Sequence, residues 1–274
     1  MAYKRILTIQ DISCVGQCSM TVAMPILSAC GHEICILPTA LLSTHTGGVG
    51  KPVVRYLADT MAQMRQHWKE CDITFDAILV GYLGSVEAVA ETAAIARDLL
   101  APDGKLIVDP AMADHGKRYS GLSEEYAKAM QELCMQADVM IPNITEAAMM
   151  AGFPYREDYD ESYIRQLMET LGGGNVVLTG VGYQPDETGI LVRNGGEISH
   201  HPHAKVGKSY HGTGDMFAAC FTGCWMQGKP MEEAVEIAGE FTRRSIAETY
   251  RNPAHWYGVK FETVLPWLAE TLFG

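Results

Sequence analysis

Short apolar runs alternate with longer stretches of helical periodicity along most of this chain, and that alternation restricts the fold more than any other feature. The runs include Ile6–Gln10, Asp76–Val80, Lys105–Val108 and Asn175–Thr179. Strands that alternate with helices pair in parallel, because each helix carries the chain back to the edge where the preceding strand began. We therefore predict an α/β fold with a doubly wound, mostly parallel central sheet and helices on both faces.

The later part of the chain departs from this alternation. Two short alternating runs within Thr188–His203 flank Asn194-Gly195-Gly196, which predicts a small β-hairpin. From Gly214 onward the sequence predicts helices, with interruptions near Pro230 and Pro253.

Two segments of the first half carry less direct predictions. The segment from about Val53 to Lys69 is predicted to be a helix. The segment Ala113–Gly121, with its glycines, charges and Tyr119, is predicted to be a mobile loop that orders over a substrate. The alternative for this second segment is an ordinary solvated connection.

The composition fits a globular enzyme with small partners. Hydrophobic residues make up 47% of the chain and charged residues 20%. The formal net charge of −12 argues against a nucleic-acid surface, because the field of the whole protein repels phosphates unless local groups hold them. No linker, repeat or low-complexity tract divides the sequence, so we predict one domain, residues 1–274.

The cysteines and the N-terminus indicate where the protein works. The eight cysteines have no spacing typical of a secreted disulfide framework, which favours reduced thiols. The N-terminus leads straight into a strand-like run without the apolar region of a signal peptide. No apolar segment approaches the roughly 20 residues that a membrane span needs. We expect a cytoplasmic protein that binds neither membrane nor nucleic acid.

Polar or aromatic residues follow the predicted strands at their carboxyl ends. Asp11, Tyr82, Asp109, Asn143 and Thr179 occupy such positions. In an open parallel sheet, ligands bind in the crevice outside these ends, so we expect the five side chains to line one site. The alternative is that they serve only as turn and cap formers, which Asp, Asn and Thr do well.

Carboxylates on neighbouring loops suggest a candidate metal site. Asp109, Asp114 and Glu146 could hold Mg²⁺ directly or through water, as phosphoryl transfer requires. Asn143 and Glu146 also fit a helix capping box, and both roles are compatible. The chain has no Walker loop, no His-Arg-Asp kinase loop and no dinucleotide glycine fingerprint after the first strand, which excludes those classes.

The stretch His211–Cys220 combines a glycine-rich turn with the start of a helix. Gly212 and Gly214 bracket Thr213, and Asp215 follows at once. Glycines let main-chain N–H groups approach an anion at the helix N-terminus, and a carboxylate there can act as a general base. The alternative is a glycine-rich loop with an ordinary acidic residue in the first helical turn.

The ordered series of these motifs is familiar. The chain resembles the ribokinase-like superfamily of small-molecule kinases, and within it the vitamin B6 (pyridoxal) kinases, over nearly its whole length. The resemblance rests on these segments: Ile9-Gln10, Ser43–Gly47, Gly81–Gly84, Asp109–Asp114, Pro142–Glu146 and Gly212–Ala218. It implies ATP-dependent phosphorylation of the 5′-hydroxymethyl group of pyridoxal, pyridoxine or pyridoxamine. It also implies ATP and Mg²⁺ as cofactors and a homodimer, and leaves open a monovalent cation such as K⁺.

The resemblance also implies roles for residues of this chain. Asp215 is expected to be the general base, with Gly212, Thr213 and Gly214 stabilising the transferring phosphoryl group. The expected nucleotide side consists of Asp109, Asp114, Asn143, Glu146, Thr179 and Gly180, with Asp109 and Glu146 serving the metal. The expected vitamer pocket consists of Asp11, His45, Thr46 and Tyr82.

The resemblance has departures, and it has rivals. Ala113 stands where the family usually has glycine, and Asp11 where many B6 kinases have serine. If Asp11 faces the ligand, a cationic group such as the ammonium of pyridoxamine should pair with it; otherwise Asp11 caps the following loop. Hydroxymethylpyrimidine (phosphate) kinases are similar but typically carry cysteine in place of Asp215. They are the alternative function, together with a non-catalytic ligand-binding relative.

Overall fold

A computed structural model describes residues 2–47, 49–207 and 210–274 of the chain. The strands are β1 (Arg5–Ser13), β2 (Glu33–Leu42), β3 (Val54–Tyr56), β4 (Phe75–Val80), β5 (Leu100–Val108), β6 (Ala113–Asp114), β7 (Lys117–Arg118), β8 (Val139–Met140), β9 (Asn175–Thr179), β10 (Glu187–Asn194) and β11 (Glu197–Ala204). The helices are α1 (Met20–Ala29), α2 (Ala58–Glu70), α3 (Val86–Leu99), α4 (Glu124–Cys134), α5 (Ile144–Ala151), α6 (Glu161–Thr170), α7 (Thr213–Met226), α8 (Met231–Tyr250) and α9 (Leu265–Phe273).

Nine strands form one sheet in the order β11-β10-β9-β8-β5-β4-β1-β2-β3. The six adjacent strands β9, β8, β5, β4, β1 and β2 pair in parallel. Strands β3, β10 and β11 pair antiparallel with their neighbours. The mostly parallel sheet, its helices on both faces and the late hairpin are confirmed. None of the helices in the described ranges has the length and apolar character of a membrane span.

Alternation along the strands creates two cores, one on each face of the sheet. In β1, Leu7 and Ile9 join the core under α2 to α6, while Ile6 joins the core under α1 and α7 to α9. All three are fully buried, because an inner parallel strand is covered on both faces. Thr8, between Leu7 and Ile9, is buried as well.

The order of the inner strands creates a crevice. The chain passes from β1 to β2 on one side and then returns to pair β4 on the other side of β1. The carboxyl ends of β1 and β4 therefore flank a topological switch point, where open α/β sheets bind their ligands. Asp11 and Tyr82 lie there.

The segment predicted as a helix from Val53 begins instead as β3. Val54–Tyr56 pairs antiparallel with Ala40–Leu42, and α2 starts only at Ala58. Val and Tyr favour extended backbone at a sheet edge, and this preference overrides the helical periodicity. A second correction concerns Asp11, which lies inside β1 because that strand continues to Ser13.

The segment predicted as a mobile loop contains the short hairpin of β6 and β7. Asp114 pairs with Lys117, and the two residues between them, His115 and Gly116, have φ values of 48° and 74°. Positive φ at both positions is typical of the tight turn that joins two antiparallel strands. Strand β5 also differs from its prediction, since it begins at Leu100 rather than at Lys105.

Candidate active site

Helix α7 starts without a side-chain cap. Its N-cap residue, Gly212, has φ 83°. A Cβ atom on Gly212 would lie 2.1 Å from the carbonyl oxygen of Gln17, a main-chain atom that cannot move aside easily. Only glycine fits this position, and with Gly214 exposed, the first N–H groups of α7 stay open to an anion. The hydroxyl of Thr213 turns back and donates to the Tyr210 carbonyl at 3.2 Å.

Asp215 lies in the first turn of α7 and is half-buried. Burial raises the pKa of Asp215 to about 6, and the Asp11 carboxylate also raises it. The main-chain N–H of Ser19 interacts with the Asp215 carboxylate and lowers that pKa. A carboxyl group with a pKa near neutrality can accept a proton and release it again.

Asp109 follows β5 and faces the start of α7. Its Oδ1 accepts a hydrogen bond from Ala111 N at 3.1 Å, and its Oδ2 lies 3.8 Å from where a Cβ on Gly214 would be. Burial raises the pKa of Asp109 well above its ordinary value, and the carboxylates of Glu146 and Asp215 add to this. The structure therefore brings Asp109, from the expected nucleotide side, close to the expected base.

Glu146 is almost fully occupied by main-chain donors. Its Oε1 accepts from Met112 N at 2.8 Å and from Ala113 N at 3.3 Å, and its Oε2 accepts from Asn143 N at 2.9 Å. Asn143 Oδ1 accepts from Glu146 N at 3.0 Å, which completes the predicted capping box. Burial is the largest influence on Glu146 and raises its pKa to about 7.

Tyr119 brings a hydroxyl close to these carboxylates. Its main-chain N–H donates to the Met112 carbonyl, and 42% of the residue stays exposed. Burial raises the pKa of the Tyr119 hydroxyl, and Glu146 and Asp109 are the two carboxylates that raise it most. The Tyr119 hydroxyl therefore lies within electrostatic range of Glu146 and Asp109.

The carboxylate cluster of Asp109, Glu146 and Asp215 suits a magnesium ion held mainly by phosphate and water. Burial, main-chain N–H groups and other carboxylates account for the pKa values of Asp109, Glu146 and Asp215. Among the residues that the structure describes, no lysine, arginine or histidine is a main cause of these pKa values. Within the described ranges, no group of three or more His, Cys, Asp or Glu side chains is placed to form a metal cage. Mg²⁺ commonly binds through one or two carboxylates plus substrate phosphates, which fits this arrangement.

Asp11 is 4% exposed and accepts a hydrogen bond from the Ser13 hydroxyl at 3.1 Å. Burial raises the pKa of Asp11, while the hydroxyls of Ser19 and Ser13 lower it. The ring of Tyr82 is half-buried nearby, and burial, then Tyr56 and Asp11, raise its pKa to about 12. Asp11 is thus turned toward serine hydroxyls at the end of β1.

His45 is 5% exposed and has one ring nitrogen without a partner. Its Nδ1 accepts from Gly47 N at 3.0 Å, so the proton lies on Nε2, which makes no hydrogen bond to any described residue. The ring contacts His211 with a centroid distance of 5.4 Å. His45 therefore keeps one buried ring nitrogen without a partner among the described residues, whereas Thr46 beside it is exposed.

The remaining residues of the expected nucleotide side are Thr179, Gly180 and Asp114. Thr179 ends β9 and bridges to Asn143, which places it beside the capping box. Gly180 is exposed, and its carbonyl accepts from the Tyr159 hydroxyl at 3.4 Å. Asp114 is exposed at the β6–β7 turn and accepts from His115 N at 2.8 Å. Thr179 and Asp114 therefore lie near the capping box of Asn143 and Glu146, and Gly180 directly follows Thr179.

The sequence analysis did not identify Ser13, Ser19 and Ala111 as site residues. The positive-φ residues other than glycine, within the described ranges, are Ser19, Asp72, Ala111 and His115, and all but Asp72 belong to the loops of this site. Ser13 and Ser19 contact Asp11, and Ala111 donates to Asp109. Strained backbone conformations are frequent at functional sites, but the residue type does not reveal them in a sequence. The only available signal was that Ser19 precedes a helix.

Comparison with known proteins decides the family. The family model described as phosphomethylpyrimidine kinase matches residues 27–259. The chain belongs to this family. The ribokinase-like fold predicted from the motifs is confirmed, and so is a small-molecule kinase at the level of the family.

Curated relatives carry two kinds of name. The hydroxymethylpyrimidine/phosphomethylpyrimidine kinase of Haemophilus influenzae is 26% identical over 64% of this chain and 66% of its own. The pyridoxine/pyridoxal/pyridoxamine kinase of Bordetella avium is 30% identical over 89% of this chain and 85% of its own. The chain thus spans slightly less than two thirds of the first relative and most of the second.

Solved structures repeat this division. The pyridoxal kinase of Lactobacillus plantarum superimposes with a TM-score of 0.90 and 32% identity, covering 98% of both chains. A protein of Bacteroides thetaiotaomicron, provisionally assigned as a phosphomethylpyrimidine kinase and crystallised with pyridoxal, has a TM-score of 0.92 and 32% identity, covering 97% of this chain and 96% of its own.

Proposed function

We propose that this protein transfers the γ-phosphoryl group of ATP to the 5′-hydroxymethyl group of a B6 vitamer. The observation that carries the proposal is the start of α7, where a carboxylate with a pKa raised to about 6 adjoins an uncapped helix N-terminus. Phosphoryl transfer needs a base for the alcohol and donors for the phosphoryl oxygens, with little covalent chemistry beyond that. Both needs are met within four residues.

In this proposal Asp215 accepts the hydroxyl proton of the vitamer as its oxygen approaches phosphorus. The main-chain N–H groups of Gly212, Thr213 and Gly214 point toward the transferring group and stabilise its charge. Because Asp215 is half-buried and already disfavours its ionised form, taking up the proton relieves an electrostatic cost. Asp215 is restored as a base when it releases this proton as the product leaves.

In this proposal the nucleotide binds on the side of the α7 N-terminus that Asp109 faces. Asp109, with its Oδ2 directed toward Gly214, is the group best placed to face the metal and the phosphates. Glu146 has both oxygens engaged by N–H donors and therefore holds the Asp109–Ala113 loop, reaching a metal only through water. Mg²⁺ supplies neutralisation of phosphate charge when bound. Asp114, Asn143, Thr179 and Gly180 complete this side.

The vitamer pocket is formed at the switch point by Asp11, His45, Thr46 and Tyr82. The Nε2–H of His45 has no partner among the described residues, and in this proposal it donates to an acceptor on the vitamer ring. Tyr82 offers a half-buried aromatic face. The serine contacts of Asp11 favour the alternative in which this carboxylate organises its own loop rather than selecting a cationic vitamer.

A second candidate function is phosphorylation of hydroxymethylpyrimidine or its phosphate. The matching family model and the Haemophilus influenzae relative favour it. Asp215 favours a B6 kinase, because the pyrimidine kinases typically carry cysteine at that position. The nearby Cys18 does not replace it: burial, then the Asp215 charge, raise the pKa of the Cys18 thiol to about 12, so the thiol stays protonated.

The proposal includes the organisation of the protein. Residues 1–274 act as one kinase domain, and the active form is a homodimer, as the family resemblance implies. All eight cysteines are free, which agrees with a reducing, cytoplasmic setting.

A phosphorylation assay tests the proposal. Purified protein is incubated with ATP, MgCl₂ and either one vitamer or hydroxymethylpyrimidine, and the phosphorylated product is identified by mass spectrometry. We expect phosphate transfer to at least one vitamer with a higher kcat/KM than to the pyrimidine. Faster transfer to the pyrimidine would assign the second function, and no transfer to either would leave a binding protein.

A further inference from the structure

Ser19 has a backbone conformation that residues other than glycine rarely adopt. It lies in the turn between β1 and α1, with φ 51° and ψ −128°, and is 5% exposed. Its Cβ makes this region of φ and ψ unfavourable, so glycine would hold the same turn with less strain. Strain that persists in a buried turn needs contacts that maintain it.

Three polar groups of Ser19 are engaged. Its carbonyl accepts hydrogen bonds from Val22 N at 3.0 Å and Ala23 N at 2.9 Å, which starts α1. Its hydroxyl interacts with the buried carboxylate of Asp11. Its N–H interacts with the carboxylate of Asp215. The residue therefore connects two carboxylates of the site through different atoms.

The turn that contains Ser19 is docked on the start of α7. The Gln17 carbonyl oxygen approaches Gly212 so closely that a Cβ there would be 2.1 Å away. Two residues further along, the Ser19 N–H meets Asp215, which follows Gly212 in the first turn of the helix. Two contacts thus fix the turn against the first turn of α7, and the second one ends on the proposed base.

We propose that Ser19 is a positioning residue for Asp215. Its hydroxyl, anchored on Asp11, holds the strained turn so that its main-chain N–H is directed at the Asp215 carboxylate and fixes the direction of the base. This inference rests on the proposed function, in which Asp215 takes the hydroxyl proton. It also gives Asp11 a task that needs no cationic ligand.

Two substitutions separate the anchor from the strain. Ser19→Ala removes the hydroxyl but keeps the Cβ, so the turn relaxes and its N–H moves away from Asp215. We expect kcat to fall about 10- to 100-fold, as for a reacting group displaced by a fraction of an ångström to an ångström. KM for vitamer and ATP should change less than about threefold. Ser19→Gly also lacks the hydroxyl but adopts this backbone without strain, so it should keep kcat within about threefold of the wild type.

The rescue by glycine is the decisive readout. A merely structural hydroxyl would make the alanine and glycine variants alike, since both lose it. Ser123, the N-cap of α4, is the control, because its side chain accepts from Tyr126 N at an ordinary φ of −83°. Ser123→Ala and Ser123→Gly should lower the melting temperature while leaving kcat of the folded protein unchanged.

Several outcomes would overturn the inference. Equal kcat losses in Ser19→Ala and Ser19→Gly, or an unchanged kcat in Ser19→Ala, would show that Ser19 does not position the base. All rates are taken per folded molecule, checked by circular dichroism. If Ser19→Ala does not fold, Ser19→Cys, which keeps the Cβ and a weaker donor, replaces it and should show an intermediate loss. A wild type without turnover on any vitamer or pyrimidine would instead refute the proposed function.

Discussion

Helices α5 and α7 begin at the same edge of the sheet and carry a carboxylate at the same place, yet their N-termini differ in every contact. Glu146 follows the N-cap Asn143 by three residues, and Asp215 follows the N-cap Gly212 by three residues. In α5 the two side chains bond reciprocally to each other's main chain. In α7 the N-cap has no side chain, and the carboxylate meets Ser19 of another segment.

This difference separates a helix whose first turn is closed by its own side chains from one whose first turn is open. Glu146 is 1% exposed and uses its oxygens on three N–H groups, so it fixes the loop that carries Asp109. Asp215 keeps part of its surface accessible, and the N–H groups before it are left for a ligand. An acidic residue in a first helical turn is therefore not informative alone; the residue at the N-cap decides whether the helix end is closed or open.

The largest expected effect is at the open helix. Asp215→Asn should lower kcat about 10²- to 10⁴-fold, because an amide cannot take the proton, while the vitamer dissociation constant changes only a few fold. Steady-state kinetics and calorimetric binding measure the two quantities. Asp59→Asn, a first-turn carboxylate of α2, is the control and should have wild-type kinetics. Near-normal turnover in Asp215→Asn would remove the base from the mechanism.

A second substitution tests the close approach at Gly212. Gly212→Ala places a Cβ against the Gln17 carbonyl and should displace the start of α7, lowering kcat about 10²-fold. Gly152→Ala is the matched control, since Gly152 has φ 72° and a Cβ added there would meet no atom within 4 Å. Both variants carry backbone strain, so both should melt earlier. If their kcat values fall equally, the contact with Gln17 is irrelevant to the site.

A substitution at the N-terminus of α5 should change the free energy of unfolding more than it changes kcat. Asn143→Ala removes the acceptor for Glu146 N and the donor to the Ala113 carbonyl, which should cost about 1–2 kcal/mol of unfolding free energy. Denaturant titration measures this, with Asp160→Ala, the exposed N-cap of α6, as a comparison of about 1 kcal/mol. We expect kcat to fall less than about tenfold. A loss as large as that of Asp215→Asn would place Asn143 in the reaction itself.

A further prediction concerns the dependence of stability on pH. The folded-state pKa values of Asp215, about 6, and Glu146, about 7, lie above their ordinary values of 3.8 and 4.5. The native state therefore binds more protons than the unfolded state between about pH 4 and 7, and stability contributed by these groups falls as pH rises through that window. Each group contributes at most about 1.4 kcal/mol per pH unit. Melting temperatures across this range should show a flatter profile for Asp215→Asn; an unchanged profile would contradict the raised pKa.

The sequence predicted the parts of this molecule that depend on local pattern. The alternation of strands and helices indicated the parallel sheet, and a polar residue near each strand end indicated the edge where the site lies. The capping box of Asn143 and Glu146 and the glycine turn before Asp215 were also visible, because short-range spacing determines both.

Contacts between distant segments were not accessible in the same way. Nothing near Gln17 indicates that its carbonyl lies against Gly212, and nothing in the residue type of Ser19 indicates its strained backbone. The β3 edge strand was mistaken for helix because its partner, β2, lies outside any local window. The roles given to the site residues stay predictions, since they concern ligands and rates.

The core beneath α7 and α8 has a consequence for synthesis of the chain on the ribosome. Ile6 and Ile107 of the sheet are covered on that face by Phe217, Phe221 and Phe241, from helices that emerge last. The sheet is complete through β11 before this cover exists, so the nascent chain displays a broad apolar face for the time needed to make the final quarter. Such a face is a target for chaperones and a route to aggregation. Helix α7, which carries the proposed base, is thus also the first of the late helices to cover this apolar face.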